Sequence, residues 1–292
     1  MRGNLKQWFM RAAKKTLLVG VDLGGTNVRA GLVQNGKIAA LHTRAISSRA
    51  KQEVVVDEVC ENIAAVLQPG VRGIGIGVPS LVNKGVVYST KNIPSWRAVP
   101  LKKILERRFH VPVFIDNDAN CFALGELYFG AGRGYQNLVG LIIGTGLGAG
   151  VVINGKLYSG SNGGAGEIGA IAYKEKDFEH YCSGRFFRRE FGLDGATLHE
   201  RAEKGDRKAR AMLAAFGDDF ANVIMALLYA YDPEIIVLGG SISKAYPYFE
   251  KRMRKKLCAF HFQNSLKKVV ITQTQKPNIA VLAAAALCLE GK

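Results

Sequence analysis

Acidic side chains are scarce in this 292-residue chain: 24 aspartates and glutamates stand against 40 lysines and arginines, a formal net charge of +16. Such an excess suits nucleic acid, an anionic membrane surface or a polyanionic small molecule. The densest basic cluster, Lys251 to Lys256, has no interleaved aromatics and no nucleic-acid fold signature beside it. It reads as a solvated helix face, and no nucleic-acid partner is expected. Cysteine is sparse as well. Cys60, Cys121, Cys182, Cys258 and Cys288 are scattered and odd in number, which excludes a disulfide frame and fits reduced thiols in a cytoplasm. No apolar run is long enough and glycine-poor enough for a membrane span. Residues 1–15 hold five basic groups and no acidic one. They lack an apolar signal core and cleavage site, so they read as a basic leader, either a short amphipathic helix or a poorly ordered arm.

What is abundant is glycine, with 34 residues. The densest run is Val139 to Gly169, VGLIIGTGLGAGVVINGKLYSGSNGGAGEIG. An apolar strand breaks at Gly144-Thr145-Gly146 and resumes toward Ile153, which predicts a hairpin whose backbone can approach a ligand closely. Glycine tolerates positive φ and has no Cβ to block that approach. Free N–H groups in such a turn, with the Thr145 hydroxyl, suit phosphate oxygens. A copy of this pattern stands near the start, where Val19 to Asn27 aligns with Val139 to Leu147. Each copy runs on to an Asn-Gly-Lys turn, at Asn35 and at Asn154. Either these are two ordinary hairpins, or the fold is duplicated with a ligand held between its halves. Agreement over strand, turn, strand and second turn favours duplication.

Along the chain, Asp22 interrupts an apolar strand just before Gly24-Gly25-Thr26-Asn27. Its carboxylate is either a turn cap or a ligand for Mg²⁺, direct or through water, and the second is favoured. Periodicity predicts a helix over 53–67 and a buried strand over 71–78. Asn92 and Trp96 lie in a loop, as turn and packing residues or as parts of a polar ligand site. A strand over 111–115 runs into Asp116-Asn117-Asp118-Ala119-Asn120, where open α/β sheets place ligands. Asn117 or Asp118 could instead cap the next helix, but one cap leaves the other polar side chains unexplained. Glu167 stands alone among glycines, as on a mobile loop that lays it on a substrate. A long helix over 206–229 precedes the strand 234–238, which ends in Gly239-Gly240, a surface for a base or ribose.

These motifs resemble the ROK family of sugar kinases over nearly the whole chain from Leu17. The resemblance rests on DLGGTN (Asp22 to Asn27), NDAN with ALGE (Asn117 to Glu126), GTGLGAG (Gly144 to Gly150), GGAGEIG (Gly163 to Gly169) and DPEIIVLGGSIS (Asp232 to Ser243). It implies a duplicated actin-like, hexokinase-like (ribonuclease H-like) α/β fold, with two domains and a ligand cleft between them. The domains are expected at 16–122, completed by the C-terminal helix 278–292, and at 123–277. The implied activity is ATP-dependent phosphorylation of a hexose at its 6-hydroxyl, glucose favoured, in a cytoplasmic homodimer. An N-acetylated hexosamine kinase and an idle sugar sensor are the alternatives. The family's transcriptional repressors carry a helix-turn-helix domain ahead of the core, which a fifteen-residue basic leader cannot make.

By the same resemblance Asp118 is the general base, and Asn92, Asn117, Glu167 and Glu179 bind sugar hydroxyls. Gly24, Gly25 and Thr26 with Gly144, Thr145 and Gly146 hold phosphates, alongside Asp22 and Asn27. Gly239 and Gly240 border the adenosine, and the cofactors are ATP and Mg²⁺. Two departures stand out. Many members have a histidine after GEIG, where this chain has Ala170, and a cysteine cluster where it has Tyr173 to Phe178. Structural zinc needs about four Cys/His ligands, so no zinc is expected. The loop carrying Glu179 must then be held by packing of Phe178, Tyr181 and Phe186. Ser80 stands where relatives usually have glycine.

Overall fold

The computed structural model describes residues 16–88, 90 and 92–290, so the basic leader at 1–15 lies outside the described residues. Three strands open the chain: β1 (Leu17–Leu23), β2 (Asn27–Gln34) and β3 (Lys37–Ala45). They are followed by helix α1 (Gln52–Ala64), strand β4 (Val71–Val78) and the small hairpin β5 (Val82–Asn83) and β6 (Val86–Val87). Next come α2 (Leu101–Phe109), β7 (Val113–Asn117) and α3 (Asp118–Phe129). The glycine-dense run forms β8 (Leu138–Ile143), β9 (Leu147–Ile153) and β10 (Lys156–Tyr158). A hairpin of β11 (Ala172–Tyr173) and β12 (Lys176–Asp177) leads to α4 (Phe178–Cys182), α5 (Gly184–Phe191), α6 (Gly195–Glu203) and the long α7 (Arg207–Tyr231). The chain closes with β13 (Ile235–Gly239), α8 (Tyr246–Leu257), α9 (Gln263–Lys268), β14 (Val270–Gln273) and α10 (Ile279–Glu290).

Two five-stranded sheets carry the architecture, in the orders β3-β2-β1-β4-β7 and β10-β9-β8-β13-β14. In both, the first three strands are antiparallel and the last two join in parallel. The duplication read from the hairpins is therefore a duplication of the whole sheet. Both Asn-Gly turns are two-residue connections with positive φ at each position, 54° and 68° at Asn35-Gly36 and 53° and 74° at Asn154-Gly155. That backbone matches the right-handed twist of the flanking strands.

Two compact units contain these sheets. The first takes the described residues up to Arg133, Ser159–Gly164 and those from Lys276 onward; the second takes Gly134–Tyr158 and Ala165–Gln275. The division thus falls after Arg133 and not at 122, because α3 packs on α10 as one layer with the first sheet. Contact there is close enough that a Cβ on Gly20 would stand 1.9 Å from the Val281 carbonyl oxygen, and one on Gly75 1.9 Å from that of Ala284. The second unit is built on rings instead. Phe187, Phe216, Phe220 and Phe249 are fully buried, with Phe216 stacked on Phe220 at 5.5 Å and edge-on to Phe249 at 5.3 Å.

Helix α7 runs two residues further than its apolar pattern predicts, from Arg207 to Tyr231. Asp206 caps it, accepting from Lys208 N at 2.9 Å and Ala209 N at 3.2 Å. Among the described helices it alone is long and apolar enough to cross a membrane, and half of its most apolar window is buried inside the protein. Its apolar face, Leu213 to Leu228, is committed to the core of the second unit.

Candidate functional site

In the first unit the predicted residues gather at the carboxyl ends of β1, β4 and β7. Leu23 pairs with Val28, so four residues, Gly24 to Asn27, make the first turn, closed by Gly24 N donating to Asn27 O at 2.9 Å. Neither Gly24 nor Gly25 adopts a positive φ, so conformational freedom is not why glycine is needed here. Close approach is: a Cβ on Gly25 would lie 2.7 Å from Asn92 Cβ and 3.1 Å from its Nδ2. The loop around Asn92 is braced by Thr90, whose Oγ1 accepts from Ile93 N at 2.9 Å, and by the fully buried Trp96.

Asp22 caps no turn. Arg29 lies opposite it in the β1–β2 register and forms an ion pair with its Oδ2, Nε donating at 3.1 Å. Mg²⁺ is commonly held through one or two carboxylates plus substrate phosphates. A carboxylate engaged by arginine on one oxygen beside an exposed turn fits that donor pattern.

At the end of β7 the capping reading and the site reading divide between neighbours. Asn117 is the N-cap of α3, its Oδ1 accepting from Ala119 N at 2.8 Å, while its Nδ2 donates to Ser80 O at 3.3 Å. An amide keeps a second N–H and a second lone pair after two such bonds. Asp118 is half-buried in the first helical turn, and its Oδ1 also accepts from Ala119 N at 2.9 Å. Asp116 Oδ1 accepts from Asn117 N and from the buried Asn120 Nδ2, at 2.7 and 2.8 Å. The carboxylates of Asp116, Asp118 and Asp22 all bear on Cys121, whose thiol pKa is raised first by burial and then by this negative charge. The family motif's Glu126 is structural: fully buried, it accepts from Ala131 N at 2.8 Å and closes the turn after α3.

In the second unit Ile143 pairs with Leu147, leaving a three-residue turn, Gly144 to Gly146, with Gly144 N donating to Gly146 O at 3.0 Å. Again the glycines are not left-handed. Glu179, on α4, explains one of them. Its Oε2 would stand 2.6 Å from a Cβ on Gly146 and accepts from Leu147 N at 3.2 Å. Its Oε1 takes Arg185 Nη1 at 2.7 Å. Gly184 N donates to Gly144 O at 2.7 Å, joining the start of α5 to the same turn.

Glu167 is exposed, but the segment bearing it is pinned, contrary to the mobile loop expected from its glycines. A Cβ on Gly166 would meet Ala149 O at 1.9 Å, and one on Gly169 would meet Leu147 O at 2.3 Å. Those glycines let the segment lie directly on β9. Gly240 has φ 86°, and a Cβ there would be 2.4 Å from Ile143 O, so the Gly239-Gly240 turn tucks under the end of β8.

The segment between Glu167 and Glu179 contains no cysteine or histidine, and His180 and Cys182 follow it. Cys182 is fully buried and its thiol pKa is raised, chiefly by that burial, while the His180 ring lies edge-on to Tyr181. Among the described residues no three His, Cys, Asp or Glu side chains come together to hold a metal ion. Two arginines were missed from sequence. Arg29 was legible, since a four-residue turn sets it opposite Asp22; nothing in the pattern of α5 marked Arg185 as the partner of Glu179.

A duplicated α/β fold with a glycine turn at the end of each first hairpin defines a class, and comparison narrows it. The ROK family model matches residues 18–290, and the chain belongs to the ROK family. It is 33% identical over 278 residues to a glucokinase of Thermotoga maritima, covering 83% of this chain and 87% of that one. It is 32% identical over 253 residues to an N-acetyl-D-glucosamine kinase of Pectobacterium carotovorum, covering 77% and 83%. Among solved structures it is similar to a ROK family glucokinase from Streptomyces griseus in complex with glucose and AMPPNP. That likeness has a TM-score of 0.80 at 28% identity, over 93% of this chain and 98% of the other.

Proposed function

We propose that this sugar kinase of the ROK family transfers the γ-phosphoryl group of ATP to the 6-hydroxyl of a hexose, with glucose preferred. The observation that carries the reading is the Asp118 carboxylate in the first turn of α3, at the carboxyl end of a parallel strand. Similarity to a glucokinase over most of the chain supports glucose as the sugar. Phosphoryl transfer asks a protein chiefly for positioning and charge stabilisation. In this reading Asp118 orients the attacking hydroxyl and takes its proton. Asn92, Asn117, Glu167 and Glu179 hydrogen-bond the other hydroxyls, which burial would otherwise leave unpaired at a cost. The turns at Gly24 to Asn27 and Gly144 to Gly146 receive phosphate oxygens, and Gly239 and Gly240 border the adenosine. Asp22 would hold Mg²⁺, directly or through water, and the bound ion neutralises charge on the phosphates.

Similarity to an N-acetyl-D-glucosamine kinase, almost as high, favours a second reading in which the sugar is N-acetylated. A coupled assay with ATP and glucose, mannose, N-acetylglucosamine and N-acetylmannosamine separates them. The expected outcome is the highest kcat/KM for glucose, with no stoichiometric zinc in the purified protein. A higher value for an N-acetyl sugar selects the second reading, and no turnover with any sugar refutes both.

A further inference from the structure

Glu179 sits on a helix that cannot hold itself. α4 has five residues, well below the length at which a helix persists unaided in water, so its bearing is set by what grips its flanks. Its N-terminal grip is the β11–β12 hairpin. Tyr173, ending β11, stacks on Phe178 with ring centroids 4.8 Å apart and meets Tyr181 edge-on at 5.6 Å. The Tyr173 hydroxyl donates to Asp219 Oδ1 on α7 at 2.8 Å and accepts from Asn222 Nδ2 at 2.9 Å. Lys174 Nζ reaches the same Asp219 oxygen at 2.6 Å and lies 4.8 Å from the centre of the Tyr181 ring.

The chain of contacts is continuous from α7 through the hairpin to α4, and from Glu179 on to Leu147 N at the glycine turn. The base of the Glu179 side chain packs over Gly169, its Cβ 3.4 Å from where a Cβ on that glycine would stand. Burial and the neighbouring Asp219 carboxylate raise the Tyr173 phenol far above its usual range, so it remains a hydrogen-bond donor at neutral pH.

We infer that Asp219, acting through Tyr173 and Lys174, is a positioning residue that fixes Glu179 and thereby sets affinity for the sugar. This rests on the reading of Glu179 as a sugar ligand. Displacing such a ligand by about an ångström is enough to cost roughly a hundredfold in a well-ordered site. The clamp holds the segment with an ion pair, a hydrogen bond and a ring stack, where among the described residues no three donor side chains come together to hold a metal ion.

The test is a double-mutant cycle on the full chain, reading sugar KM and kcat with thermal melting alongside. Asp219→Ala is expected to raise sugar KM about tenfold with kcat less affected, and Tyr173→Phe to raise it less, because the ring stack survives. In a Glu179→Gln background Asp219→Ala should add nothing further, since the two act through one carboxylate. Additive effects, or equal losses in kcat and sugar KM, would overturn the positioning role. Should Asp219→Ala fail to fold, Tyr173→Phe in the same cycle decides the matter. If Glu179→Gln alone leaves sugar KM unchanged, the sugar-ligand reading of Glu179 fails first and the clamp falls with it. If Glu179→Gln raises KM and the clamp variants do not, only the clamp fails.

Discussion

In the first unit an alanine-rich helix, α10, lies so near its sheet that Gly20 and Gly75 face backbone carbonyl oxygens where any side chain would clash. In the second unit the matching sheet is covered by α7 and α8 through a cluster of phenylalanine rings. The strand order is the same and the means of packing are opposite. A duplicated topology therefore fixes the hydrogen-bonded sheet and leaves each unit to solve its own interior. The chemistry is divided as unevenly. Register pairs Asp22 with Gly77 and Gly77 with Asp116, leading to Asn117 and Asp118. The counterpart path runs from Ile142 to Gly239 and on to Thr274, after Gln273, then to Gln275 and Lys276. One copy keeps an acidic cluster at its strand ends, and the other keeps none there.

Opposite packing should break in opposite ways. Adding one methyl at Gly75 puts a Cβ 1.9 Å from the Ala284 carbonyl, and overpacking against backbone costs about 3 kcal/mol or more. Removing a ring at Phe216 leaves a cavity, for which Phe→Ala typically costs about 3–5 kcal/mol. Urea unfolding of both variants checks this, with Trp96 emission in a Trp8→Phe background reporting the first unit. Gly75→Ala should shift the Trp96 transition, and Phe216→Ala should shift the far-UV transition more than the Trp96 one. Coincident shifts in both variants would mean that the units unfold as one.

The uneven chemistry gives the next largest effect. If Asp118 is the base, Asp118→Asn lowers kcat about a hundredfold or more, equivalent to about 2.7 kcal/mol of barrier. The asparagine still accepts from Ala119 N, so melting and sugar binding should hold. Lys276→Ala, at the counterpart position, should stay within about twofold. Comparable losses in the two variants would erase the distinction between the copies.

Much of this was legible because it is carried by local pattern. Glycine turns, alternating apolar strands and the two Asn-Gly-Lys connections are short-range signals, and they marked out both hairpins and most strand limits. What escaped is carried by contacts between distant segments. Alanine enrichment in α10 does not name Gly20 and Gly75 as the surface it covers, so the first unit was ended too early, within α3. Arg185 and Asp219 are ordinary surface charges in sequence and become partners of Glu179 and Tyr173 only after folding. For the glycines of the two hairpin turns, sequence supplies half the reason. Lack of a Cβ matters at Gly25 and Gly146, and left-handed backbone does not.

That half-reason supports the smallest and sharpest comparison, between the two turns themselves. Each has one glycine on which a side chain from elsewhere in its own unit lies: Asn92 on Gly25 and Glu179 on Gly146. The obstacles differ in kind. At Gly25 a methyl would meet Asn92 at its Cβ, 2.7 Å away, and at its Cγ, 2.9 Å away, so the Asn92 backbone must shift. At Gly146 it would meet the far end of the longer Glu179 side chain, with Oε2 at 2.6 Å but Cδ at 3.4 Å. A rotation of that carboxylate relieves the clash, at the expense of its bond to Leu147 N. Both alanine variants should raise sugar KM, since both proposed sugar ligands are displaced. Gly25→Ala should raise it about tenfold, and Gly146→Ala only severalfold, the difference between moving a backbone and turning a side chain. Steady-state kinetics with sugar and ATP varied separately make the measurement. A larger effect at Gly146 would mean that Glu179, held by Arg185 on its other oxygen, is the more rigid of the two.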